Sequence, residues 1–90
     1  MEKLTEFQAR VLETILENSI ESISCKHPKK QLGEVIEGED PKEIRKVLGN
    51  LRDRGVLDFT RKKKFWFFDD TTYVVKPPRA QKIYDSYIGA

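Results

Sequence analysis

Apolar residues near the start of the chain recur at the spacing of one helix face. They are Phe7, Val11, Leu12, Ile15 and Leu16. A helix turns once in about 3.6 residues, so these positions form a single stripe. Thr5 and Gln8 have the types and spacing of a capping box. The pattern predicts a first helix that begins after Thr5 and buries this stripe. Ile20 and Ile23 are expected either to extend the apolar face or to line the following loop.

A short second helix is predicted from about Pro28 to Glu37, after a connection that includes SISCKHPKK. Proline suits the first turn of a helix, where the missing N–H has no partner to lose. Gly38 is a typical residue at a helix end. The apolar residues expected to be buried are Leu32, Val35 and Ile36.

The third helix is predicted over about residues 41–54, and both of its ends are marked. Asp40 is a favourable N-cap, Pro41 fits the first helical position, and Gly55 follows the last turn. The stripe that faces the core is expected to contain Ile44, Val47, Leu48 and Leu51.

A β-hairpin is expected after Gly55. VLDFT (residues 56–60) is predicted as a strand, RKKK (61–64) as the turn, and FWFF (65–68) as the returning strand. This register sets Leu57 opposite Phe68 and Phe59 opposite Trp66. DDTT is then a second turn, TYVV a possible third strand, and RAQKIYDSYIGA a short helix after Lys76-Pro77-Pro78. The apolar side of that last helix is expected to contain Ile83, Tyr84, Tyr87 and Ile88.

The order of these elements resembles the winged helix-turn-helix family of small regulators. The residues that carry the resemblance are LGEVIEG, the capped DPKEIRKVLGNLRDRG, VLDF and the basic stretch that follows. The resemblance implies an α+β fold with three helices, a two- or three-stranded wing and a short C-terminal helix. Residues 1–76 would form the winged-helix domain. Residues 77–90 would be an extension within the same domain or a dimerisation element.

The positive charge of the chain is concentrated in one segment. The net charge is only +2. Residues 1–39 carry a net charge of −3, whereas residues 40–64 carry +5. Local potential governs polyanion binding, so this asymmetry favours nucleic acid as the partner. The candidate DNA-binding residues on the solvent side of the third helix are Lys42, Arg45, Lys46, Gly49 and Arg52. Those of the predicted wing turn are Arg61, Lys62, Lys63 and Lys64.

Each candidate group has an alternative interpretation. Arg45 is expected to reach guanine edges in the major groove, with lysines holding phosphates. The same helix face could instead be a solvated surface with a tolerated glycine. The basic stretch could be a solubilising turn that protects an edge strand. Phe65 and Trp66 could belong either to the core or to a ligand-facing surface.

These features predict a double-stranded DNA-binding protein, a transcriptional regulator that acts as a homodimer. The alternative is a winged-helix protein-interaction module in a transcription or replication assembly, with the basic segment facing an acidic partner. No enzyme activity and no cofactor are expected. Cys25 and His27 alone cannot supply the three or four ligands that zinc needs. No apolar run approaches the ~20 residues of a membrane span, and the charged N-terminus lacks the apolar block of a signal peptide. The expectation is a cytoplasmic protein without a membrane partner.

Overall fold

The computed structural model describes residues 3–64 and 68–89, with side chains for residues 3–60 and 72–89. Within these residues the fold is α+β, with four α-helices and a three-stranded antiparallel sheet. The helices are α1 (Glu6–Glu17), α2 (Lys29–Leu32), α3 (Pro41–Asp53) and α4 (Pro77–Ile88). The strands are β1 (Ser22–Ser24), β2 (Leu57–Lys64) and β3 (Phe68–Val75), in the spatial order β1-β3-β2.

Helix α1 begins with the capping box that the sequence predicts. The Gln8 N–H donates to Thr5 Oγ1 at 3.2 Å, and the Thr5 N–H donates to Gln8 Oε1 at 3.0 Å. Two backbone donors of the first turn are therefore satisfied. The middle of the predicted stripe (Val11, Leu12 and Ile15) is buried in the common core. Phe7 and Leu16 are partly buried against that core.

Strand β1 lies in the segment that the sequence analysis treats as a connection. Ile23 is fully buried in it and pairs with Tyr73 of β3. The strand is fastened to α2 as well, because the Ser24 N–H donates to Gln31 Oε1 at 3.2 Å. Ile23 therefore belongs to a sheet, and neither expectation for it is correct.

The predicted second helix is divided in two. Helix α2 ends at Leu32, and a 3₁₀ turn (Gly33–Ile36) follows it. Gly33 has a φ of 58°, a left-handed conformation that interrupts a right-handed helix. Leu32 and Ile36 are buried as expected, and Val35 packs partly buried against the core.

Helix α3 agrees with its predicted bounds to within one residue. The Asp40 side chain caps it by accepting the Lys42 N–H at 2.8 Å, and Pro41 occupies the first turn. Val47, Leu48 and Leu51 are buried, whereas Ile44 is half-buried. The start and the end that the sequence predicts for this helix are therefore both confirmed.

The N-cap of α3 gives a direct stability prediction. Asp40→Ala is expected to lower the free energy of unfolding by about 1 kcal/mol, because the Lys42 N–H loses its acceptor. Urea denaturation measures the change. Glu39→Ala is the matched control, since Glu39 is an exposed acid one residue outside the cap. Equal effects from both substitutions would contradict the capping role of Asp40.

The β2–β3 hairpin differs from its predicted register. Leu57 pairs with Val75, Phe59 pairs with Tyr73, and Lys64 pairs with Phe68. The predicted pairing of Leu57 with Phe68 is therefore wrong, and Phe59 has a partner other than Trp66. The basic stretch at 61–64 continues β2 rather than turning, and TYVV ends the returning strand rather than forming a third one. Residues 65–67 lie outside the described part of the chain. Both interpretations of Phe65 and Trp66, as core or as ligand-facing residues, therefore stay predictions.

The observed register has a physical basis in the residue types. Tight two-residue hairpin turns need positive φ, which Gly, Asn and Asp tolerate and an Arg-Lys run does not favour. The register also sets Lys62 opposite Asp70 and Lys63 opposite Asp69. Opposite charges at paired positions stabilise a ladder by a few tenths of a kcal/mol each. The predicted DDTT turn is also wrong, because these four residues lie in β3, where Asp69 and Asp70 pair with Lys63 and Lys62.

Helix α4 packs on α1 and contributes to the common core. Ala80 is fully buried and Ile83 is 8% exposed. Arg79 Nε donates to the Arg54 carbonyl oxygen at 3.1 Å, which joins α4 to the end of α3. Of the predicted apolar side, Tyr84 is partly buried, whereas Tyr87 and Ile88 are 40% and 61% exposed.

None of the helices in the described ranges is long and apolar enough to cross a membrane.

Candidate nucleic-acid interface

The outward side of α3 carries its predicted basic residues. Lys42, Arg45, Lys46 and Arg52 are all exposed. Successive helical residues are about 100° apart, so these side chains leave the helix away from the buried Val47 and Leu51. The predicted site residues of α3 therefore all lie on the half of the helix that faces away from the core. Within that half they form two groups, one towards the sheet and one on the outermost part.

Arg45 and Arg52 lie on the side of α3 that borders the sheet. The Arg52 guanidinium carbon is 5.1 Å from the centroid of the Phe59 ring, a cation–π contact. Phe59 in turn meets Tyr73 edge-on, with the ring centroids 5.4 Å apart. Burial raises the pKa of the Tyr73 hydroxyl, with a further rise from Cys25 and an opposing effect from Arg52. Arg52 thus links α3 to the start of the hairpin.

Lys42, Lys46 and Gly49 lie on the outermost side of α3. A Cβ atom added at Gly49 would have no atom within 4 Å outside its own helix backbone and neighbours. The glycine is therefore not required by packing within the described residues. The surface at Gly49 is open enough for another molecule to approach the backbone closely.

The four cations at 61–64 belong to a two-stranded ribbon. Strand β1 pairs only with residues 72–74 of β3, so the ladder of 61–64 with 68–71 extends beyond the third strand. Four residue pairs at ~3.3 Å each make an extension of about 13 Å. Arg61 and Lys64 are paired with the uncharged Thr71 and Phe68, whereas Lys62 and Lys63 are paired with acids. The net charge of the ribbon is therefore lower than the basic stretch alone suggests.

A further basic cluster, in KHPKK between β1 and α2, was not among the predicted site residues. Lys26, Lys29 and Lys30 are exposed there. The backbone of this segment is held in place, because the His27 N–H donates to Ser24 Oγ at 3.2 Å and the Lys30 N–H donates to the His27 carbonyl at 3.1 Å. The sequence signal was available as three lysines in five residues. The cluster is missed when charge is summed over residues 1–39, because the acids of that segment outnumber its lysines and arginines.

Two hollows lie between the KHPKK segment and α3. The larger has a volume of about 860 Å³ and extends from KHPKK to the turn before α3. The smaller, of about 290 Å³, reaches Phe59 and Tyr73 on the sheet. Cys25, Lys26, Arg45 and Leu48 line both. We call the two together the flank trough, since they follow the sheet-facing side of α3.

The possible ligands of a metal ion are dispersed. Across residues 3–64 and 68–89, no group of three or more His, Cys, Asp or Glu side chains has the geometry of a metal site. Cys25 is half-buried and His27 is exposed.

No protein-family model, curated protein or solved structure matches this chain.

Proposed function

We propose that the chain is a winged helix-turn-helix protein that binds double-stranded DNA and regulates transcription. The element order supports this proposal, with α2 and its 3₁₀ turn, a short connection, the capped α3 and then a long hairpin. Helix α3 contains 13 residues and is therefore about 20 Å long. A helix of this kind fits the ~12 Å width of the major groove.

The observation that carries the proposal is the contact between Arg52 and Phe59. Arg52 is in the last turn of α3, and Phe59 is two residues before the basic stretch of β2. The contact makes the exposed side of α3 and the base of the ribbon one continuous surface. Cations along such a surface release counterions from DNA, which is the main source of duplex affinity.

In the proposed complex α3 lies in the major groove. Arg45 donates to guanine O6 and N7, while Lys42 and Lys46 contact phosphates. The ribbon containing Arg61, Lys62, Lys63 and Lys64 follows the flanking backbone or the minor groove. The lysines of KHPKK extend the phosphate contacts beyond the predicted residues.

A substitution at Gly49 tests whether the backbone of α3 comes close to the bound DNA. Gly49→Ala is expected to raise the free energy of unfolding by about 0.5–1 kcal/mol, since the position is helical and open. Close approach of DNA predicts that the same substitution weakens duplex binding. Thermal denaturation and fluorescence anisotropy measure the two effects, with Glu43→Ala as an exposed control on the same helix. Unchanged duplex affinity would remove Gly49 from the interface.

The proposal includes a homodimer formed through the end of α4. Tyr87 and Ile88 are exposed there, and the Tyr87 ring is stacked on Tyr84 with centroids 6.4 Å apart. Ile88→Asp is expected to shift the sedimentation coefficient from dimer to monomer, because it places a charge in a desolvated contact. The melting temperature of the wild type is then expected to rise with protein concentration and that of the variant to be independent of it. A wild-type chain that sediments as a monomer at micromolar concentration would contradict this part of the proposal.

A salt titration of duplex binding tests the function itself. A labelled duplex of about 20 base pairs accommodates two half-sites. The expected dissociation constant is below about 10⁻⁴ M at ~0.1 M salt, and log Kd is expected to rise with log salt with a slope of at least about 4. A slope near zero, or an affinity weaker than millimolar, would reject DNA as the partner.

The alternative function is a winged-helix module that binds an acidic protein in a transcription or replication assembly. The acids opposite Lys62 and Lys63 favour it to some degree, since they reduce the charge available to phosphates. Such a module is expected to show weak duplex binding with a shallow salt slope.

A further inference from the structure

The floor of the flank trough is apolar, although its surroundings are charged. The larger hollow is floored by Pro28, Ile36, Ile44 and Leu48. Beyond Leu48 the smaller hollow adds two aromatic side chains, those of Phe59 and Tyr73. Phe59 is 38% exposed, so part of its ring is accessible to a ligand. The floor therefore offers aliphatic and aromatic contacts to a ligand with an apolar body.

Cations line the trough on both walls, the KHPKK segment and α3. Lys29, Lys30 and Arg45 line the larger hollow, and all three are exposed. Glu37 and Glu39 line it on the side of the turn before α3. Charge is therefore distributed unevenly, with the cations beside the KHPKK segment and the mid-part of α3. An anionic group is attracted to the part of the trough between these cations and repelled from the part beside the two glutamates.

From this combination we propose that the flank trough binds a small amphipathic organic anion, with one or two apolar rings on the floor and a carboxylate, phosphate or sulfonate near Arg45. The larger hollow, about 860 Å³, lies within the ~300–1,000 Å³ usual for small-ligand sites. A carboxylate, phosphate or sulfonate on an apolar ring system matches both features of this lining, whereas the outer edge of a duplex presents phosphates without an apolar body. The occupant is therefore a different molecule from the DNA.

The ligand and the DNA share Arg45. Arg45 lines both hollows, and the proposed function assigns it to a guanine edge. One guanidinium cannot serve both partners, so the bound anion weakens duplex binding. This regulatory part rests on the proposed function, whereas ligand binding itself does not. Two sites coupled in this way affect each other reciprocally.

A pair of matched probes tests ligand binding without DNA. The anionic probe is 8-anilinonaphthalene-1-sulfonate, and the uncharged control is N-phenyl-1-naphthylamine, which keeps the rings without the sulfonate. The sulfonate is expected to tighten binding at least about tenfold over the uncharged probe. Two-dimensional amide NMR locates the site. The Gly38 amide lines the trough and is expected to shift, whereas that of Gly49, on the outer side of α3, is expected to remain unchanged.

Adjacent charge reversals on α3 provide the matched variants. Arg45→Glu is expected to weaken binding of the anionic probe about tenfold or more and to leave the uncharged probe unaffected. Lys46 is the next residue, is equally classed as exposed and lines neither hollow. Lys46→Glu is therefore expected to weaken duplex binding while leaving the affinity for the anionic probe within about twofold of the wild type. Circular dichroism confirms that both variants retain α3.

The outcomes separate the two proposals. Equal loss from Arg45→Glu and Lys46→Glu, or a Gly38 amide unmoved by the saturating anionic probe, would overturn the ligand site even if duplex binds as expected. Displacement of the probe by a short acidic peptide at lower concentration than by naphthalene sulfonates would also overturn it in favour of a protein partner. If the duplex fails to bind but Gly38 and Arg45 respond as described, the ligand site stands and only its regulatory role falls.

Discussion

Replacing Lys62, Lys63 and Lys64 together with Ala is expected to reduce duplex affinity about a hundredfold at ~0.1 M salt and to lower the log–log salt slope by about 2–3. Each lysine that contacts a phosphate releases about 0.9 of a counterion, so three contacts have a combined effect of this size. Anisotropy titrations at several salt concentrations measure both quantities. The effect is large because the ribbon extends beyond β1 and has four consecutive basic positions.

The hairpin register allows a sharper form of this experiment. Lys63 is paired with Asp69, whereas Lys64 is paired with Phe68. Lys63→Ala is expected to cost a few tenths of a kcal/mol of stability through its acidic partner, while Lys64→Ala leaves stability unchanged. Both are expected to reduce the salt slope by about one. If only stability responds, the basic stretch serves the hairpin rather than DNA. Lys82→Ala, at an exposed position of α4, is the control for loss of charge alone.

Ile83→Asp is expected to destabilise the chain by about 4 kcal/mol, much of the ~5–13 kcal/mol typical of a domain of this length. Ile83 is 8% exposed and lies in the same core cluster as Leu12, Leu51 and Val75. The substitution removes apolar contacts and places a carboxyl group where water is excluded. Urea denaturation followed by circular dichroism measures the loss.

Ile88→Asp is the matched control for Ile83→Asp, because the same change occurs on the same helix at a residue that is 61% exposed. It is expected to leave the free energy of unfolding of the monomer within about 0.5 kcal/mol of the wild type. The pair distinguishes the two roles suggested for residues 77–90. A large loss at Ile83 alone assigns α4 to the domain core, with its far end available for self-association. Similar small effects at both residues would mean that α4 is dispensable to the fold.

Elements with local signals could be predicted, and elements defined by distant partners could not. Helices α1 and α3 carry their own caps, in Thr5 with Gln8 and in Asp40 with Pro41, and their apolar stripes have helical spacing. Strand β1 has one apolar residue between two serines, so nothing local distinguishes it from a loop. It is a strand because Tyr73, far along the chain, pairs with Ile23.

The hairpin shows how a strong local pattern can mislead. The aromatic run at 65–68 suggested a returning strand with Phe68 and Trp66 facing the core. The correct register follows from two weaker signals, the lack of turn-forming residues in RKKK and the match of Asp69 and Asp70 to Lys63 and Lys62. Tertiary packing then favours burial of Val75 opposite Leu57.

The candidate site was predictable where it lies on one helix. Helical geometry alone brings Lys42, Arg45, Lys46, Gly49 and Arg52 to the outward side of α3. The flank trough depends on the approach of KHPKK to Arg45, which lies 15 or more residues further along the chain. Such proximity has no signature in composition or periodicity.

The shortness of β1 has a consequence for the order of folding events. The β2–β3 hairpin joins neighbouring segments, whereas Ile23 and Tyr73 are about 50 residues apart along the chain. Closing a loop of that length costs roughly 3 kcal/mol of chain entropy. The three residue pairs, the bond from the Val75 N–H to the Glu21 carbonyl and the burial of Ile23 offset that cost only once β3 and the core are in place. Docking of β1 is therefore expected after the hairpin and α3 have assembled. In native-state hydrogen exchange, the β1 amides should open before those of α3, so that the first part of the sheet to loosen is the last part to form.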